Sequence, residues 1–124
     1  MKLDQYLMSK LYTPFEWGVH DCVMFASEWV SYRTGRHVLS DLPLWDNKVA
    51  AMRVIASVGG IESGVSARLG PKLRTSPKDG DLALLPSTLG GMCIVSGPYV
   101  IGVSIPSGFQ FYPQSAATAF WSLN

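Results

Sequence analysis

The side chains best suited to nucleophilic chemistry in this sequence stand two positions apart, in His20-Asp21-Cys22. A cysteine thiolate is a strong nucleophile, and an imidazole beside it can take the thiol proton and later return it to a leaving amine. The stretch Pro14-Phe15-Glu16-Trp17-Gly18-Val19-His20-Asp21-Cys22 runs into a segment, Val23 to Arg33, that has a helical pattern. With Cys22, its apolar residues Phe25, Ala26, Trp29 and Val30 form one face of a 3.6-residue period. Asp21 fits the N-cap of that helix. Cys22 is then its first residue, where unpaired backbone N–H groups and the positive end of the helix dipole favour a thiolate. The same position suits a small buried hydrophobe, since free cysteine is among the most buried residue types.

His20 divides in the same way. Where an extended segment approaches a helix, residues i and i+2 can project to one side, which would set the imidazole against the thiol as its base. The other use of His20 is to cap or brace the loop. Asp21 suits a helix cap better than a catalytic carboxylate. Asp81, directly after Asp79-Gly80, is most simply a turn acceptor ahead of a strand. Cys93 lies in an apolar run and is expected in the core. His37 follows a helix end and is expected at the surface. Trp17 and Trp45 flank two caps and fit core or loop-anchoring use better than carbohydrate stacking. Cys22, Cys93, His20 and His37 lack the spacing of zinc ligands, so neither a metal nor a cofactor is expected.

The elements that must hold these residues follow from pattern. Leu3, Leu7, Met8 and Leu11 predict a short covering helix over Leu3 to Tyr12, stopped ahead of Pro14. Gly35 ends the central helix as a left-handed C-cap. Residues 36–45 form an irregular connection, and the apolar residues of Leu39 to Trp45 are expected to make a contact surface. Asp46 is the expected cap of a helix that turns Ala51, Val54, Ile55 and Val58 inward and ends at Gly59-Gly60. A shorter helix, Ile61 to Leu69, stops at Gly70-Pro71. A polar loop from Lys72 to Lys78 closes on Asp79-Gly80. Short β-rich runs follow at Asp81 to Leu85, Met92 to Ser96, Tyr99 to Ile105, Phe109 to Tyr112 and Ala119 to Leu123. Leu89-Gly90-Gly91 and Ser96-Gly97-Pro98 are turn material, without the helix that a phosphate-binding loop needs. Helices first and an antiparallel meander second make an α+β domain, with helices packed on one face of a small curled sheet.

Composition narrows the class. With 48% hydrophobic residues and no long polar tract, the chain suits one domain over residues 1–124. Ten basic and nine acidic residues, scattered without blocks, give a net charge of +1 and no electrostatic footprint for nucleic acid. Met1-Lys2-Leu3-Asp4 lacks the apolar run of a secretory leader, and no stretch is long enough for a membrane span. Synthesis in a reducing cytoplasm is therefore the expectation.

Three motifs together carry a resemblance: Phe15-x-Trp17-Gly18-x-His20-Asp21-Cys22 opening a helix, Gly80-Asp81-Leu82-Ala83-Leu84-Leu85-Pro86 as a first strand, and a Gly-rich turn into Cys93-Ile94-Val95-Ser96-Gly97. They resemble a family of short phage and prophage proteins that in turn looks like a compact branch of the NlpC-type, papain-like cell-wall peptidases. The likeness runs from about Tyr6 to Trp121. It implies a papain-like fold, a tail-tip setting in the virion with tail hub or tip proteins as partners, and Cys22, His20 and Asp81 as the site residues. In such peptidases a histidine opens the strand after the Gly-Asp strand. Here that place holds Gly91-Met92-Cys93-Ile94-Val95, and no histidine occurs beyond His37. The resemblance thus implies a structural or assembly component on a degenerate peptidase fold. Its alternative is a cysteine hydrolase of peptidoglycan peptides, with Cys22 as nucleophile, His20 as an unconventional base and the Cys22 backbone N–H as an oxyanion donor.

Overall fold

Apolar residues at helical spacing make the segment after Asp21 the spine of the molecule. In the computed structural model, which describes residues 2–86 and 91–123, this helix, α2, spans Cys22–Thr34 and buries Phe25, Ala26, Trp29 and Val30. Gly35 ends it at φ 77°, a left-handed conformation that a side chain resists. The first helix, α1 (Leu3–Lys10), lies against it and is two residues shorter than its pattern suggests. Tyr6 carries that contact: its hydroxyl donates to the Phe25 carbonyl at 2.6 Å, and its ring packs on Phe25 and Trp29. Lys10 pairs with Glu28 at 2.5 Å at the edge of the same interface.

Two further helices, α3 (Lys48–Ser57) and α4 (Ile61–Leu69), complete the layer. The cap of α3 is Asn47, one residue later than the expected Asp46. Asn47 has extended backbone and its side-chain oxygen accepts from the Ala50 N–H at 2.9 Å, while Asp46 accepts from the Asn47 amide instead. The contact surface expected at Leu39 to Trp45 is also corrected. Leu44 is 96% exposed, but Leu39, Leu42 and Trp45 turn inward and, with Val54, Val58 and Val65, line an apolar cavity of about 80 Å³ under the helices.

The strands are β1 (Leu82–Leu84), β2 (Met92–Ser96), β3 (Tyr99–Val103), β4 (Phe109–Pro113) and β5 (Ala119–Trp121). They form one sheet in the order β4-β3-β2-β1-β5, antiparallel throughout. The meander holds for the first four strands. The fifth instead crosses back to pair with β1, placing Trp121 opposite Leu82 and fully in the core. Alternation sorts the faces: Leu82, Leu84, Met92, Ile94 and Trp121 join the helices in the main core, whereas Ala83, Cys93, Val95 and Val100 make a small second cluster with Tyr112 and Phe120. The expected α+β arrangement, helices against an open antiparallel sheet, is thus what the chain adopts. Leu89 and Gly90, from the expected turn before β2, lie outside the described residues. No helix among the described residues is long and apolar enough to cross a membrane.

The Gly80-Asp81 pair joins the layers. Trp29 Nε1 donates to the Gly80 carbonyl at 2.7 Å, and a Cβ on Gly80 would stand 3.3 Å from the Trp29 ring. Gly80 also has φ 88°, so two constraints select glycine at that turn.

Candidate functional site: a cysteine cleft at a helix start

Asp21 builds the site. Its carboxylate is 2% exposed and accepts three hydrogen bonds: from the Met24 N–H at 2.8 Å, from the Gly18 N–H at 2.8 Å and from Trp45 Nε1 at 2.7 Å. The first is the N-cap of α2; the others tie in the preceding loop and the 36–45 connection. A cap was the expected role of Asp21, and Trp45 is the loop anchor its position suggested. Gly18 sits in the left-handed region at φ 78°, and a Cβ there would lie 1.8 Å from the Trp45 carbonyl oxygen. No other residue fits.

With the helix start fixed, the half-buried Cys22 side chain enters a cleft of about 340 Å³. Its walls come from the loop (Phe15), the end of β1 (Leu85, Pro86), the start of β2 (Gly91, Cys93) and the β3–β4 hairpin (Gly102, Gln110). Burial pushes the Cys22 thiol above its ordinary pKa. Backbone N–H groups of Met92, Gly91 and Val23 pull the other way, and the adjacent Asp21 carboxylate adds to the rise. The net direction is upward, so the helix start does not by itself yield a thiolate. Cys93 shares the cleft, is 2% exposed and is pushed up to about 12 by burial, with Cys22 adding to the shift. Neither cysteine forms a disulfide.

His20 is not at the thiol. Its ring is 1% exposed and stands edge-on to Phe25, with centroids 6.1 Å apart, and neither Nδ1 nor Nε2 has a hydrogen-bond partner among the described residues. The approach to the helix is extended at Asp21, yet the His20 ring makes no hydrogen bond to the thiol. Glu16 and His20 close a tight turn, exchanging backbone hydrogen bonds at 3.1 and 2.8 Å, and the ring goes into the core. Burial lowers the His20 pKa, Lys10 adds to the fall, and Glu28 and Asp21 oppose it. The expected base is therefore a buried neutral brace.

Asp81 serves the turn. Its carboxylate accepts from the Lys78 N–H at 2.8 Å and the Leu123 N–H at 3.4 Å, and it does not line the cleft. Of the three site residues expected from sequence, only Cys22 reaches the cleft. The stretch Gly91 to Val95, where the resemblance would place a histidine, starts on Gly91 at φ 63° and continues as β2. His37 is exposed and its Nδ1 meets Ser31 Oγ at 3.3 Å; Cys93 is core, as expected. Among the described residues no group of three or more His, Cys, Asp and Glu could hold a metal ion.

Sequence reasoning missed the hairpin wall. Gln110 lies opposite Gly102 in the sheet, Gly102 lies beside Cys93, and Tyr112 donates a hydrogen bond to the Gln110 side chain. Gly102 carried a signal, because a glycine inside a strand run often marks a close approach; here a Cβ would stand 3.1 Å from Cys93 Sγ. Nothing in the sequence pointed to Gln110.

No curated protein and no solved structure matches the chain. A family model does, over nearly the whole length. The chain belongs to the family described as Domain of unknown function (DUF6950), matched over residues 1–123.

Proposed function

We propose that this chain is a non-catalytic structural or assembly component of a phage tail tip, built on a degenerate papain-like, NlpC-type layout, with tail hub or tip proteins as its partners. The single observation that carries the non-catalytic half is where the two imidazoles of the chain sit: the His20 ring is in the core with no hydrogen-bond partner at either nitrogen among the described residues, and His37 is exposed beside Ser31. Hydrolysis of an amide by cysteine needs an imidazole or its equivalent to move the proton. The sequence resemblance supplies the virion setting.

A second reading rests on a different observation. Cys22 begins a helix inside a cleft, with three backbone N–H groups drawing its pKa down, an arrangement that favours the thiolate nucleophile. On that reading the chain is a cysteine hydrolase of peptidoglycan peptides acting during DNA delivery. Cys22→Ser separates the two when supplied to a phage deleted for this chain. The structural reading predicts normal tails, normal infectivity and the chain detected in purified tails by mass spectrometry. Normal tails with infectivity lost would support the hydrolase. Tails that assemble normally without the chain and, when purified from wild type, lack it would overturn the tail-tip proposal itself.

A further inference from the structure

The structure carries an ionisable group in a place where no hydrogen bond supports its charged form. His20 is 1% exposed, and neither ring nitrogen has a partner among the described residues. Buried polar groups are almost always hydrogen-bonded, so an unsatisfied imidazole asks for an explanation of its own. An imidazolium at the same spot would add an unpaired charge and a second buried N–H, at far greater cost.

We propose that the loop of residues 14–20 is an acid-released latch on the Cys22 cleft, held shut by the neutral His20 ring and freed when that ring takes a proton. This inference stands apart from the tail-tip reading and holds for either functional reading.

Lys10 reaches the ring from α1, Glu28 from α2, and Asp21 from the helix start. Lys10 and Glu28 are paired with each other at 2.5 Å, so their opposite charges largely offset at the ring. The Asp21 oxygens are taken by Met24, Gly18 and Trp45. Among the described residues no carboxylate hydrogen-bonds the ring, and its close aromatic neighbour is the Phe25 edge contact. Burial therefore decides the balance and favours the neutral form.

The loop held by this ring is also a wall of the cleft. Phe15 lines the cleft with Cys22, and the loop's attachment to the β3–β4 turn consists of the Phe15 N–H to Pro106 carbonyl bond at 2.8 Å and the Pro14–Ser107 bridge. Withdrawing His20 from the core takes the Glu16–His20 turn with it and carries Phe15 away from the thiol. A solvated histidine titrates near 6.5, so opening is linked to uptake of one proton below that pH.

The test is the rate at which 4,4′-dithiodipyridine, a disulfide that reacts with thiols in acid, labels the native chain between pH 7.5 and 5. Modified cysteines are assigned by peptide mass spectrometry, and each rate is divided by that of the same chain in denaturant. One proton taken up on opening predicts a normalised Cys22 rate that climbs below about pH 6.5, approaching tenfold per pH unit. The far-ultraviolet circular dichroism stays unchanged over the same range, and His20→Phe, which keeps a buried ring without a titrating nitrogen, abolishes the climb. A flat Cys22 profile in the native chain overturns the latch. So does an equal climb in His20→Phe, or loss of the circular dichroism signal in step with Cys22 labelling, which marks global unfolding. If His20→Phe does not fold, His20→Met takes its place with the same expectation.

Discussion

Asp21→Ala should be among the most damaging single changes outside the apolar core. The wild-type carboxylate satisfies three donors in a buried setting: Met24 N–H, Gly18 N–H and Trp45 Nε1–H. A buried donor stripped of its acceptor costs about 1–3 kcal/mol, and loss of an aspartate N-cap alone costs about 1 kcal/mol. Three orphaned donors, partly rehydrated as the loop relaxes, give an expected loss of about 3–4 kcal/mol. For a chain of this length that is a fall in Tm of roughly 10–15 °C. Trp45→Phe removes one donor and leaves the carboxylate two bonds, so it should cost about 1–1.5 kcal/mol. The double variant must lose the Trp45–Asp21 bond only once. Its cost should therefore fall short of the sum of the singles by about 1 kcal/mol. Urea denaturation followed by far-ultraviolet circular dichroism reads all three. A loss below about 1 kcal/mol for Asp21→Ala, or strict additivity of the pair, would refute the clamp.

Other positions give equally direct tests. Gly18→Ala places a Cβ at a position 1.8 Å from the Trp45 carbonyl oxygen and forces an L side chain to φ 78°, so it should cost at least about 2 kcal/mol in the same assay. A fall within about 0.5 kcal/mol of wild type would show that the loop yields easily. Global stability should also depend on His20. Its folded pKa lies below its unfolded value, so its contribution is fully present above about pH 6.5 and is lost as pH falls toward the folded pKa. The urea midpoint should therefore drop between pH 7 and 5 by more in wild type than in His20→Phe. Equal drops would remove His20 from the account.

Much of this layout was legible in sequence where a local rule and the tertiary structure agree. Asp21 ahead of an apolar helical stripe was a cap because an extended carboxylate residue before a helix has donors to accept from, and the fold uses it in that way. Gly35 as the left-handed end of α2 and the Gly80 turn were readable because glycine alone tolerates those conformations. Asp46 failed as the cap of α3 because neighbouring Asn47 competes for the same role and local preference does not separate the two. The return of β5 to β1 was hidden because alternation reveals which face a strand buries and not which neighbour it pairs with. Placing His20 beside Cys22 required knowing how residues 16–20 turn. The Glu16–His20 bridge rotates the ring into the Phe25 pocket, and that depends on a core assembled from α1 and α2. The hairpin wall of the cleft was invisible for a related reason: Gln110 and Cys93 are brought together by register, a property of the whole sheet.

The claim that His20 does not activate the Cys22 thiol is tested most directly by the pH dependence of Cys22 alkylation by iodoacetamide, with Cys93 as the internal control. Burial holds the Cys22 pKa above its ordinary value, and the His20 nitrogens have no hydrogen-bond partner among the described residues. The account predicts slow labelling at neutral pH, a midpoint above about 8.5, and no change in that midpoint in His20→Ala under conditions where the variant is folded. Rapid labelling of Cys22 near pH 6, slowed by His20→Ala, would mean an activated thiolate paired with His20 and would contradict it.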